Sequence, residues 1–133
     1  MAFKMNQLVL VMVLICSVHS QLQLPPERLQ VVMKYNAECQ KESKVPQMML
    51  MNTLRGEFEE DDRLKNHLFC LGKRMNYIDG EGNFNETEIR KDMSTGLSND
   101  RIEVAVKECL VRKATPIQTA FDSIHCISKE YRL

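Results

Sequence analysis

Apolar residues along this chain recur at helical intervals. The clearest run is Leu64, Leu68, Leu71, Met75 and Ile78, spaced four, three, four and three apart. Such spacing draws one continuous stripe along one helix face. The acids Glu59 to Asp62 precede it, where the helix dipole favours negative charge. The run Asp79-Gly80-Glu81-Gly82-Asn83 then ends it as a loop. Upstream, Pro25-Pro26 before Glu27 opens a helix over about residues 26–40 with Leu29, Met33, Asn36, Ala37 and Gln40 on one side. Pro46 opens a second, which carries Met48, Met49, Met51 and Leu54 and stops at Gly56. A short helix spans about residues 86–93 before Gly96. Asn99 or Asp100 caps the next, whose inner face is Ile102, Ala105, Val106, Cys109 and Leu110. Thr115 before Pro116 caps the last, with Ile117, Ala120, Phe121, Ile124 and Ile127 inward. No stretch alternates with the period of two that a half-buried strand needs. The pattern predicts an all-α fold of about six short helices.

The first twenty residues follow another logic. Lys4 is the only charge before Glu27, and Leu8 to Val18 is uncharged throughout. Val18-His19-Ser20 places small residues at the positions a signal peptidase reads, just before Gln21. Residues 1–20 are therefore expected to be a secretory signal peptide and 21–133 the folded domain. An N-terminal anchor is the alternative, but the run is short for a bilayer span of about twenty apolar residues.

Removing that leader leaves 17 basic and 18 acidic residues. A near-neutral chain lacks the basic excess expected for nucleic acid or anionic membrane, so neither partner is expected, nor is membrane insertion. The leader also takes away Cys16, leaving Cys39, Cys70, Cys109 and Cys126. An even number in an exported chain favours disulfides, and three pairings are open. No C-x-x-C occurs, which argues against zinc and against thiol redox chemistry.

Those cysteine spacings, with six helices and a leader, resemble the insect odorant-binding proteins, in the four-cysteine "minus-C" subgroup. Members with the full pattern carry six cysteines. Cys39 matches the first, Cys70 (within HLFCLGKRMNYIDGEGNFN) the third, Cys109 the fourth and Cys126 the sixth. The second position falls on Asn66 and the fifth on Ile117. In the family those two bond to each other, so a matched pair is absent and no orphan thiol is left. The resemblance implies bonds Cys39–Cys70 and Cys109–Cys126, and a softer cavity wall near Asn66 and Ile117. It also implies an internal apolar pocket. The inward stripes supply lining candidates: Met51, Leu54, Leu68, Leu71, Met75, Val106, Leu110, Phe121 and Ile124. Methionine suits such a surface because its thioether is unbranched and polarizable.

Little else in the chain carries chemistry. Its two histidines after the leader, His67 and His125, lie in no nucleophile motif, and Ser123 and His125 point apart on a helix. They read as structural or surface groups, with a pH-linked role in ligand release as the alternative. Asp79 to Asn85 resembles the start of a calcium loop, but Phe84 stands where glycine is required and Arg90 where a bidentate glutamate is. It reads as a plain turn. Asn85-Glu86-Thr87 is an N-glycosylation sequon. No catalytic residue, metal or cofactor is expected.

The reading is thus a non-enzymatic, secreted carrier of small hydrophobic molecules such as odorants or pheromones. It would move in extracellular fluid (sensillum lymph or haemolymph) as a monomer or weak homodimer, with only an indirect relation to a membrane receptor. A lipophile carrier outside olfaction and a packed-core helical signalling protein are the alternatives. The deleted cysteine pair yields a direct test. Asn66→Cys combined with Ile117→Cys is expected to form a third disulfide and to stabilise the fold by about 3–4 kcal/mol. Free-thiol titration and thermal melting measure both; two free thiols in the folded double variant would show that the positions are misaligned.

Overall fold

The computed structural model describes residues 25–131, and the expected leader lies outside them. Six helices follow in order: α1 Pro26–Ser43, α2 Gln47–Leu54, α3 Asp62–Arg74, α4 Glu86–Met93, α5 Asn99–Cys109 and α6 Pro116–Tyr131. Among the described residues the extended pairing is a single bridge between Ile78 and Phe84. None of these helices is long and apolar enough to cross a membrane.

Local chemistry sets the helix ends. Proline supplies the first turn of α1. That helix outruns the expected stop by three residues, to Ser43, and ends at Lys44 in the left-handed conformation (φ 59°). Pro46 is the N-cap of α2 rather than its first residue. Asp61 caps α3 by accepting from the Arg63 amide at 2.8 Å. The Arg63 guanidinium bonds the same carboxylate and is the main reason its pKa is held down at about 2. Ser98, not Asn99 or Asp100, caps α5, its Oγ accepting from the Arg101 amide at 3.5 Å. Thr115 caps α6 as expected, accepting from the Gln118 amide at 3.1 Å. The long stripe outlasts its helix: α3 stops at Arg74, Asn76 turns left-handed (φ 60°), and Ile78 lies in the bridge with Phe84. Periodicity persisted there because both residues still face inward, each about 5% exposed or less (Met75 4%, Ile78 5%).

The two disulfides are Cys39–Cys70 and Cys109–Cys126, with Cα–Cα distances of 5.8 and 5.4 Å. The first staples α1 to α3, the second α5 to α6. Arg74 reinforces the first staple by pairing with Glu38 and Glu42 of α1. The helix pairs packed most extensively are α3–α6, α1–α3, α5–α6 and α4–α5. One core cluster joins Val45, Met49, Leu64, Leu68 and Phe121; a second joins Ile89, Met93, Leu97, Ile102 and Ala105.

Asn66 is exposed and Ile117 half-buried at the α3–α6 seam. Their neighbours bridge it: Lys65 Nζ donates to Gln118 Oε1 at 2.9 Å and sits 5.3 Å from the Phe121 ring centre. The Asp79 loop is tied from within. Asp79 Oδ1 accepts from the Glu81 and Asn83 amides, both at 2.9 Å, and these bonds, led by Asn83, lower its pKa. Arg112 closes the loop on Asn83 Oδ1 and the Glu81 carbonyl at 2.8 and 3.0 Å. Gly82 is needed here, at φ 88° and with a Cβ position only 3.2 Å from Pro116 Cα.

His67 is fully buried behind the first staple. Its Nε2 pairs with Asn36 Oδ1 at 2.8 Å and its Nδ1 with Ser43 Oγ at 3.3 Å. Burial lowers its pKa below 6.5, opposed by a bond to the Cys39 backbone. A base with a depressed folded pKa stabilises the fold fully above its unfolded pKa. That contribution is lost as pH falls through the folded value. Asp61 begins to act only below about 3.8. Between pH 6.5 and that limit, wild type is expected to lose melting temperature more steeply than His67→Gln; parallel melting curves across that window would contradict the assignment.

Candidate functional site

Among the described residues, the packing of the helices leaves a hollow. A cavity of about 470 Å³ lies between α4, α6 and the segment that follows α3. That size falls within the usual range for small-molecule pockets. The following segment supplies Tyr77, Ile78 and Phe84; α4 supplies Ile89, Asp92 and Met93; Leu110 follows α5. From α6 come Ala120, Ser123, Ile124, Ile127 and Ser128, at helical intervals that put all five on one face. Leu54, at the end of α2, also lines the cavity and is 81% exposed, so the hollow reaches the surface there.

Of the stripe residues expected to line a pocket, Leu54, Leu110 and Ile124 border this cavity. The others lie elsewhere. Leu68 and Phe121 are packed in the first core cluster, where α3 and α6 close on each other. Met75 is buried and Leu71 half-buried, neither on the wall. Val106 packs against the second cluster. Met51 is on the surface, 45% exposed, because the buried side of α2 is the one carrying Met49. Asn66 and Ile117 are not among the residues that border this cavity.

Most of the wall escaped sequence reasoning. Tyr77, Ile78 and Phe84 lie outside helices, where periodicity gives no face. Ile89 and Met93 form a four-residue pair on a helix of eight, too short for a clear stripe. Ser123 and Ser128 are polar, yet they fall on the Ala120–Ile124–Ile127 face; that interruption was the available signal.

Polar chemistry gathers at one place. The Tyr77 hydroxyl donates to Asp92 Oδ2, and Arg28 from α1 reaches the same oxygen through Nη2 and, at 3.1 Å, Nε. Burial, then the bond to Asp92, pushes the Tyr77 pKa far up, so the phenol stays protonated. The bond to Asp92 likewise raises that of Arg28. This triad pins α1 to α4 beside the cavity. Among the described residues, no group of three or more His, Cys, Asp or Glu side chains is placed to hold a metal ion. Asn85 of the sequon caps α4, its Oδ1 accepting from the Glu88 amide at 3.4 Å.

Comparison with known proteins agrees with this architecture. Residues 21–130 match the model of the PBP/GOBP family. Two curated relatives come from the beetle Tenebrio molitor. B2 protein is 31% identical over 109 residues, covering 80% of this chain and 84% of its own. B1 protein is 31% identical over 106 residues, covering 78% and 81%. Among solved structures, the fold matches the fatty acid binding protein OBP56a from the oral disk of the blowfly Phormia regina. Its TM-score is 0.66 at 19% identity, over 82% of this chain and 96% of that one. Apis mellifera odorant binding protein 5 gives a TM-score of 0.65 at 17% identity, over 81% and 93%. The fold is therefore that of the insect odorant-binding proteins, and the family match and Tenebrio relatives establish that the chain belongs to the PBP/GOBP family.

Proposed function

We propose that this chain is a secreted carrier that binds small hydrophobic molecules, such as odorants, pheromones or similar semiochemicals, reversibly in the cavity beside α6. Membership of the PBP/GOBP family supports a carrier of small hydrophobic ligands. The observation that carries the finer reading is the cavity itself, about 470 Å³ and walled chiefly by Phe84, Ile89, Met93, Ile124 and Ile127. Binding is transfer of apolar surface from water into that space, with no bond made or broken. Each buried methylene contributes about 0.8 kcal/mol, so a chain of about ten gives roughly 8 kcal/mol before ordering costs. A net value of about 8 kcal/mol would be a micromolar complex, so once ordering costs are subtracted the affinity is expected to be micromolar or weaker, which permits release.

Two disulfides and a leader-like N-terminus support extracellular fluid as the site of action, sensillum lymph and haemolymph included. The protein acts as a monomer or weak homodimer, relates to a receptor only through its cargo, and carries a glycan at Asn85 where the sequon is used. A packed-core signalling protein is less well supported, since such a hollow gives up packing that a signalling fold has no reason to omit.

Filling the cavity tests the proposal. Ala120, 2% exposed and on the wall, has room for a larger side chain only on the cavity side. Ala120→Leu is expected to weaken Nile red binding about tenfold while helical circular dichroism is preserved. Saturable dye binding of unchanged affinity in the folded variant would place the ligand elsewhere.

A further inference from the structure

The cavity wall is polar at five side chains: four hydroxyls whose hydrogens are already donated to protein acceptors, and one carboxylate. The wall's polar members are Tyr77, Asp92, Thr95, Ser123 and Ser128. Tyr77 donates its hydroxyl hydrogen to Asp92 Oδ2. Thr95 Oγ1 donates to the Asp92 carbonyl at 2.8 Å. Ser123 Oγ donates to the Thr119 carbonyl at 2.6 Å, and Ser128 Oγ to the His125 carbonyl at 2.7 Å. Each hydroxyl has one hydrogen, so what remains is an oxygen lone pair. Asp92 has no hydrogen to give as the carboxylate partner of Arg28. The Arg28 guanidinium and the Tyr77 phenol converge on its Oδ2, which leaves Oδ1 as an acceptor. Arg28 itself is not part of the wall.

We infer that the cavity selects neutral amphiphiles ending in a hydrogen-bond donor, alcohols and phenols above all, over aldehydes, esters and carboxylates built on the same carbon skeleton. The inference rests on the reading of this cavity as the ligand site and names the chemical class it takes. An alcohol brings the hydrogen that the wall lacks, so its hydroxyl leaves water and still finds a partner. An aldehyde or ester carbonyl finds a donor only if a wall hydroxyl abandons its present bond. For Tyr77 that means giving up a charge-assisted bond to a carboxylate, the costliest such exchange. A carboxylate fares worst. It sheds strong hydration and then meets lone pairs and the Asp92 carboxylate. The charge of Arg28 is already countered by Asp92 at the wall, so it offers no free cation to offset that cost.

Decanol, decanal and sodium decanoate share one chain length and differ at the head group. Each is used to displace Nile red from the full-length secreted protein at about pH 8, where decanoate is ionised. Decanol is expected to compete about tenfold more tightly than decanal, with decanoate weakest. Equal competition by all three, or tighter binding of decanal or decanoate, overturns the inference and leaves the carrier reading intact. Saturable dye binding that none of the three displaces overturns the carrier reading as well. Asp92→Asn places an amide donor on the wall and is expected to bring the decanol-to-decanal ratio near one. Should that variant fail to fold without its Arg28 pair, Ser123→Ala with Ser128→Ala removes two acceptors and is expected to lower the same ratio. A tenfold ratio that persists in the folded variants overturns the assignment to these residues.

Discussion

Phe121 is where the two covalently tied halves of this protein meet. One disulfide makes a unit of α1 and α3, the other of α5 and α6. No disulfide crosses between the units, and the α3–α6 seam joins them through the cluster around the Phe121 ring. That ring is 1% exposed, sits edge-on to Phe58 at 6.0 Å, and has Lys65 5.3 Å from its centre. Burying a phenylalanine contributes about 2–3 kcal/mol, less than a disulfide across the same seam would. The Lys65–Gln118 hydrogen bond adds a modest, solvent-screened increment. This chain holds that seam by side-chain packing and one side-chain hydrogen bond.

The cavity depends on this arrangement. Helix α6 has two working faces: Phe121 turns toward α3, while Ala120, Ser123, Ile124 and Ile127 turn toward the hollow. Held by α3 on one side and by the Cys109–Cys126 bond on the other, α6 cannot settle inward to fill the space. The short helix α4 walls the opposite side. It is positioned by Arg28 reaching Asp92 from α1, and by Arg90, which pairs with Glu86 in its own helix and with Glu103 of α5. Hollow space is costly in a protein interior, where packing density otherwise approaches that of organic crystals. Disulfides and cross-helix ion pairs offset that cost, so the cavity and the staples belong to one design.

Helix identity and order were legible because apolar periodicity and proline or threonine boundaries are local signals. The family resemblance also supplied the disulfide pairing that spacing alone left open among three. The wall was mostly not legible. An inward stripe says that a residue faces other residues, and does not say whether a neighbour fills the space beyond it. Leu68 and Phe121 are enclosed by neighbours; Ile124 and Ile127 each pack on a core cluster and also border the void. Tyr77 and Phe84 are placed by a bridge and by a left-handed turn at Asn76, features without a periodic signature. Met51 is not among the residues bordering this cavity, and methionine composition carries no information on the direction of α2, whose buried side is Met49.

The central claim is that ligand occupies the hollow between α4 and α6. Methyl-resolved nuclear magnetic resonance on the protein with bound decanol tests it most directly. Intermolecular Overhauser contacts from the alkyl chain to the Ile89, Met93, Ile124 and Ile127 methyls are the predicted result. Contacts confined to the surface methyls of Met33, Met48 and Met51 would contradict it.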